Sequence, residues 1–290
     1  MGVDSEERLP PNLKVLSKLA ADHLGFNISD LTAVRRLYEA ETRHFWFRTR
    51  NEFISKRLAD LGLAPPARVL ELGCGGGAVC GHLARVGFDI TGVDGHLPRV
   101  LEAARRIPGG SFFVHDLSNG TGPFCRGAFD AVGLFDVIEH LDEPAEALSA
   151  ALDCARAGGL VVGTVPALMS LWSDLDAQSG HRLRYERSSL AQLLLSIPGA
   201  SLIEVRPFNR FLVPMLFFQR QLMAPRRAAT SEGMYWRVPP APFNRAFDTL
   251  LRLEQALAFA LDWLRLPGAS LWFALQKDSP KSARALSDLS

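Results

Sequence analysis

Four cysteines in 290 residues supply no metal-binding spacing. Cys74, Cys80, Cys125 and Cys154 form no C-x-x-C pair. No metal site is therefore expected, and reduced thiols in a cytoplasmic protein are the plain reading. Long apolar runs are missing as well. Without a stretch of about 18 apolar residues, no transmembrane segment is expected. The acidic, polar start from Met1 to Pro10 is unlike a signal peptide. Neither charge is in surplus: 32 basic against 31 acidic residues leave a formal +1. That removes the electrostatic case for nucleic acid. What the chain does have is apolar residues, 48% of the total. A sizeable core is possible, and the length suits one large domain with an insertion or two small ones.

The chain is organised around Val69-Leu70-Glu71-Leu72-Gly73-Cys74-Gly75-Gly76-Gly77-Ala78. Apolar residues after Arg68 predict a short buried strand, the glycines a turn, and Val79, Leu83 and Val86 a helix. That order is half of a nucleotide-binding βαβ unit. Its glycine spacing is ambiguous, because Gly73, Gly75 and Ala78 also fit the dinucleotide pattern G-x-G-x-x-G/A. Glu71 decides. It stands at the carboxyl end of the strand, where a pyrophosphate would meet a carboxylate at short range. S-adenosylmethionine has no phosphate and carries an ammonium and a sulfonium, so an acid here suits it and penalises NAD.

Ala64-Pro65-Pro66 breaks the chain before this strand. Further strands are expected from Phe88 to Val93, Ser111 to Val114, Phe129 to Phe135 and Leu160 to Val165. Helices should fill Pro98 to Arg106 and Pro144 to about Ala155, the second ended by Gly158-Gly159. This alternation implies a parallel, doubly wound sheet with ligands beyond the carboxyl ends of its strands. Asp94, 21 residues after Gly73, is placed for the ribose hydroxyls. Asp116 is placed for an adenine amino group, with Leu117 packing on the ring. Aspartate is common where strands end in turns, but three acids at successive strand ends make a pattern. Phe135, Asp136, Glu139 and His140 belong to the same edge and are expected to line the region between cofactor and acceptor, Phe135 on the cofactor side and Asp136 and Glu139 on the substrate side.

These residues resemble the class I S-adenosylmethionine-dependent methyltransferases. The likeness covers about 67 to 206. It rests on Glu71 through Gly77, Asp94, Asp116, Phe129-Asp130 and Val137-Ile138-Glu139-His140-Leu141, the last similar to the branch with quinone-biosynthesis O-methyltransferases. The runs His44-Phe45-Trp46-Phe47-Arg48 and Leu171-Trp172-Ser173 also look like bacterial members of this branch. The resemblance implies a seven-stranded, mostly parallel sheet. It implies that Glu71 and the turn with Gly73, Gly75 and Gly77 hold the methionine part, Asp94 the ribose, and Asp116 the adenine. Two departures stand out. The branch commonly carries H-x-R-R-Y, whereas this chain reads His181-Arg182-Leu183-Arg184-Tyr185. Its last two strands are usually joined by a short hairpin, but Ser201 to Arg206 and Ser270 to Gln276 are far apart here. A structureless loop of that length is improbable, so a subdomain is inserted.

The expected organisation is a helical cap over 1–63, a cofactor-binding α/β domain over 64–208, and a helical insertion over 209–268. The last strand lies over 269–277 and a flexible tail over 278–290. In the cap, Leu13, Val15, Leu16 and Leu19 predict a short helix, and a longer one runs from about Thr32 to Leu61. Three adjacent aromatics cannot share one helix face. They either pack on the sheet domain or form a lid with Trp46 and Arg50 toward ligand. Arg184 and Tyr185 either bind an anionic acceptor group or belong to an internal pair with Asp174 or Asp176. His140 and His181 are the candidate bases for a hydroxyl acceptor. In the insertion, Phe211 to Met223 and Phe243 to Arg265 read as helices. The second has Leu250, Leu253, Leu257, Leu261 and Leu264 on one face and Arg245, Asp248, Arg252 and Gln255 on the other. Its stripe should be buried on the domain or in a homodimer, the alternative being peripheral membrane contact through 211–265.

The expected reaction is methyl transfer to an oxygen or nitrogen of a small-molecule or lipid-linked acceptor. A nicotinamide oxidoreductase, or a silent cofactor-binding module using the insertion for association, are the rival classes.

Overall fold

A computed structural model describes residues 9–17, 31–117, 122, 127–222 and 238–279. In chain order it runs β1 (Leu13–Val15), α1 (Leu31–Arg43), α2 (Phe45–Asp60), β2 (Arg68–Leu72), α3 (Ala78–Val86), β3 (Asp89–Asp94) and α4 (Leu97–Arg106). There follow β4 (Ser111–Val114), β5 (Phe129–Phe135), α5 (Pro144–Cys154), β6 (Ala155–Pro166), α6 (Asp174–Gln178), α7 (Arg187–Leu195) and β7 (Ala200–Phe208). Helices α8 (Val213–Leu222), α9 (Ala241–Ala256) and α10 (Ala258–Trp263) precede β8 (Ser270–Lys277). One eight-stranded sheet results, in the order β1-β4-β3-β2-β5-β6-β8-β7. All its pairs are parallel except those of β8 with β6 and β7.

The strand beyond the expected seven is β1, which corrects the helix read at Leu13 to Leu16. Tertiary partners override the local pattern there. Leu13 is buried and pairs with Phe112. The Asn12 amide donates to the carbonyls of Ala104, Ile107 and Gly110 at 3.1 Å each. Leu19 and the tail beyond 279 lie outside the described residues. The single long cap helix is two helices. His44 leaves the helical region (φ −71°, ψ 132°), and its ring accepts from the Trp46 amide at 3.1 Å, capping α2. At the far side, α5 passes directly into β6, so Gly158 and Gly159 lie inside a strand. The pairing register shifts there between Phe129 and Ala131. Cys74 and Cys80 are free and buried, whereas Cys154 is disulfide-bonded, against the expectation of reduced thiols.

Successive strand residues enter opposite layers, as a pleat requires. Val69 and Trp272 join Ile54, Leu58, Leu83 and Phe112 on one face. Leu70 and Phe273 join Leu134, Leu148 and Leu190 on the other. Each fully buried side chain of this size contributes about 1.5–3 kcal/mol.

The insertion divides its faces differently from the sequence reading. Asp248 and Gln255 of the predicted polar face of α9 turn toward α2, whereas Arg245 and Arg252 stay exposed. Asp248 pairs with Arg48 at 3.5 Å, Arg252 with Glu52 at 2.5 Å, and the Gln255 amide donates to the Thr49 carbonyl at 3.0 Å. Asn244 accepts from the Phe45 amide at 2.9 Å. Leu251 and Leu261 are buried, but Leu253, Leu257 and Leu264 of the predicted stripe face solvent. Helix propagation also stops at Leu257, dividing the expected Phe243–Arg265 helix.

Candidate active site

Strand β2 delivers its chain to the carboxyl edge of the sheet, where the glycine turn begins. Gly73 adopts φ +78°, and a Cβ there would stand 2.6 Å from Val137 Cγ2. Only glycine fits both the backbone and the space. The amides of Gly73 and Cys74 donate to the Val93 carbonyl at 2.8 and 2.9 Å, tying the turn to β3. Gly75 (φ +53°) has nothing within 4 Å of an added Cβ, so it lines open space. Gly77 (φ +79°) starts α3, whose N-terminus carries the positive end of the helix dipole.

Asp94 closes the rim from β3. Its Oδ2 accepts from the Gly75 amide at 3.0 Å and its Oδ1 from the His96 amide at 2.9 Å. A carboxylate offers about four lone-pair directions, so acceptor capacity remains on each oxygen. Glu71 is 4% exposed, and its Oε2 has no hydrogen-bond partner. Burial pushes its carboxyl up to about 7, against the lowering effects of the Cys80 bond and the Arg50 charge. A buried acid with an orphaned oxygen beside an open glycine turn fits a ligand that brings positive charge. Asp116 and Leu117 follow β4, both half-buried. Ser17 Oγ accepts from the Asp116 amide at 2.9 Å and contacts His115 Nδ1 at 3.0 Å, fixing that loop. Phe135, expected at the cofactor, is instead 5% exposed in the core, its ring lying over Gly133.

Past β5 the chain turns sharply, with Asp136 at φ +57°. Asp136 accepts from Arg50 and, at 2.9 Å, from Thr164 Oγ1. Arg50 thus reaches the edge as expected, but pairs with protein there. Trp46 does not: it packs with Phe45, Leu212 and Leu251 toward the insertion. A turn of 3₁₀ helix, Ile138–His140, carries Glu139, which is fully buried with neither carboxylate oxygen hydrogen-bonded. Burial, then the Asp136 charge, pushes this carboxyl well above its ordinary range.

His140 and His181 meet edge to face with ring centroids 4.8 Å apart. His140 Nδ1 lies 3.1 Å from the Gly180 carbonyl, which can only accept, so its Nε2 holds the free lone pair. Burial and the neighbouring His181 push His140 down to about 4. His181 Nδ1 faces Asp176 Oδ1 at 3.1 Å. Burial raises the Asp176 carboxyl, but bonds from His181 and Arg184 and the charges of Arg184 and Arg220 outweigh this and hold it well below the usual range.

Arg184 and Tyr185 are corrected by this geometry. Arg184 is 7% exposed and donates to Asp176 at 2.6 Å and to the Ala167 carbonyl at 3.1 Å. Tyr185 is buried in the core, its hydroxyl 3.4 Å from the Ile138 carbonyl. Neither faces an acceptor. Thr164 and Glu41 were absent from the sequence reading. Glu41 sits near Arg50 and Arg99, and burial pushes its carboxyl up to about 7. No periodicity or motif marks it, because its place depends on how α1 packs.

The sequence matches the methyltransferase domain family over residues 43–197, more than half of the chain. The chain belongs to the class I S-adenosylmethionine-dependent methyltransferases. This methyltransferase is 33% identical over 124 residues to a ubiquinone biosynthesis O-methyltransferase of Cereibacter sphaeroides, covering 39% of this chain and 50% of that one. Over 122 residues it is 31% identical to the enzyme of that name from Xanthomonas axonopodis, covering 38% and 46%. The chain thus matches about half the length of these curated relatives. Haemonchus contortus phosphoethanolamine N-methyltransferase 2, solved with S-adenosyl-L-methionine, shares the fold at TM-score 0.58 and 16% identity, covering 89% of this chain and 60% of that one.

Proposed function

We propose that this methyltransferase transfers a methyl group from S-adenosylmethionine to an oxygen of a small, lipid-linked acceptor. One observation carries the reading. A carboxylate oxygen of Glu139 and one ring nitrogen each of His140 and His181 lie within 4.8 Å of one another, at the sheet edge that also carries the open glycine turn. Glu71 and the glycine turn would hold the methionine part of the cofactor, Asp94 the ribose, and Asp116 with Leu117 the adenine. S-adenosylmethionine supplies an electrophilic methyl on a sulfonium.

What the chain must add is alignment, which carries most of the barrier reduction in such a displacement. A hydroxyl acceptor must also lose its proton. His140, held neutral and weakly basic, positions that hydroxyl. His181, backed by the Asp176 carboxylate at 3.1 Å, takes the proton on Nε2. Oxygen is favoured over nitrogen by the curated relatives, both named as O-methyltransferases.

A lipid-linked acceptor is supported by the exposed apolar residues of the insertion. Phe218 is 58% exposed, Phe243 63% and Trp263 80%. Aromatic and leucine side chains of this kind suit the interfacial zone of a membrane. No helix among the described residues is long and apolar enough to cross one.

The test is methyl transfer from labelled cofactor to phenols with and without a long apolar tail, the tailed ones in lipid vesicles. Label should appear on oxygen, with the tailed phenols preferred. Label on amines alone, or only on untailed phenols, would overturn the assignment.

A further inference from the structure

A cavity of about 260 Å³ opens at the far edge of the sheet. It is walled by β7, the first residue of α7, the 3₁₀ turn Arg210–Leu212 and the chain leaving α10. In the sheet β7 stands four strand positions from β2, about 19 Å at the usual spacing. The cavity is therefore separate from the glycine turn. Its lining is basic, with Arg187, Arg206, Arg210 and Arg265 against only two acids, Glu204 and Asp262.

Part of this charge is structural. Asp262 accepts Arg206 at 3.0 Å and also pairs with Arg210, which fastens α10 to β7. Glu204 is held by Arg57 at 2.6 Å and by the Trp272 indole at 2.8 Å. Both acids are thus accounted for, and cationic donors are left over. Arg187 and Arg265 are exposed, with no ion pair or side-chain hydrogen bond among the described residues. The Arg210 side chain is only 4% exposed, yet its Nε is buried and donates to nothing. A buried donor left unsatisfied is destabilising, so a partner for it is missing. Arg265 also holds φ +52°, just past the end of α10, where a helix is ordinarily closed by glycine. The chain keeps a guanidinium where glycine would be unstrained.

We infer that this cavity binds the phosphate of a phosphate monoester. Guanidinium groups meet phosphate oxygens in parallel pairs of charge-assisted hydrogen bonds. Arginines arriving from four segments of the chain suit a group with three acceptor oxygens better than a carboxylate with two. The volume lies below the roughly 300–1,000 Å³ of ordinary ligand pockets, so the phosphate is enclosed and the rest of the ligand lies outside. Ile203 and Leu266, 42% and 39% exposed, also line the cavity and give that organic part an apolar contact. A soluble phosphorylated metabolite and a monoester lipid headgroup share this chemistry. The site does not depend on which acceptor is methylated.

The test titrates the full chain calorimetrically with glycerol 3-phosphate and with acetate. In parallel, the chain is mixed with phosphatidylcholine vesicles with and without phosphatidic acid. One equivalent of glycerol 3-phosphate should bind with a Kd below about 1 mM, and acetate at least about tenfold more weakly. Arg187→Ala and Arg265→Gly should each weaken binding about tenfold and together about a hundredfold, since each removes a charge-assisted bond. Both positions are exposed, and glycine relieves the backbone at 265, so the variants should keep the circular dichroism of the wild type. Their S-adenosylmethionine affinity should also be unchanged, which separates this site from the cofactor's. Retention on phosphatidic acid vesicles alone, lost in the double variant, would assign the phosphate to a lipid headgroup. Binding of neither ester, acetate binding as tightly, or undiminished binding by the double variant overturns the site.

Discussion

The buried carboxyl of Glu71 should make cofactor binding depend on pH, and Glu71→Gln should remove that dependence. In the free protein burial raises this carboxyl from an ordinary 4.5 to about 7. Burial therefore favours the neutral form of this acid in the free protein. The acid's contribution to stability is therefore fully present below 4.5 and lost as pH rises through about 7. A cationic ligand reverses the preference by stabilising the ionised form. With its midpoint at 7, about one Glu71 in ten is ionised at pH 6 and about nine in ten at pH 8. Binding that requires the carboxylate should then be roughly tenfold weaker at pH 6.

Other groups face Glu71 and must be separated from it. The thiols of Cys74 and Cys80 are pushed upward, Cys80 chiefly by burial, and stay neutral. Glu41 also titrates near 7, and the ligand's own amino group titrates near neutrality. All of these are shared by wild type and variant, so the difference between them isolates Glu71. The assay is isothermal titration with S-adenosylmethionine at pH 6 and pH 8 for both proteins. Equal affinities for wild type and Glu71→Gln at pH 8, with the same pH dependence, would refute the electrostatic account of ligand choice.

Two further outcomes follow from packing. Gly73→Ala should lower the midpoint of thermal unfolding, since it combines φ +78° with a 2.6 Å contact to Val137. The expected loss is about 1–3 kcal/mol, whereas Gly75→Ala, with open space around it, should be milder in stability yet weaken cofactor binding. Arg184→Met should cost about 3–5 kcal/mol in denaturant unfolding by leaving Asp176 a buried, under-paired carboxylate. A near-neutral result would return Arg184 to the acceptor side.

What could be read from the sequence was whatever local chemistry alone determines. The glycine turn, Glu71 and Asp94 were legible because only glycine tolerates the turn and a strand end has one place to put its next side chain. The β-α alternation likewise forced a parallel sheet and its ligand edge. Arg184, by contrast, was undecidable: an arginine three residues after a histidine looks the same whether it meets a substrate or Asp176. Only the packing of α6, which buries Asp176 and aims it at both Arg184 and His181, settles its partner.

The stripe of α9 failed for a related reason. Periodicity identifies two faces but does not say which one turns inward, and polar-to-polar docking on α2 is specified by Arg48, Glu52 and the Thr49 carbonyl. Those groups lie about two hundred residues away in sequence. What α9 buries is Leu251 beside Glu254, a mixed pair that belongs to neither face of the periodic pattern, so the inward side could be found only from the partner helix.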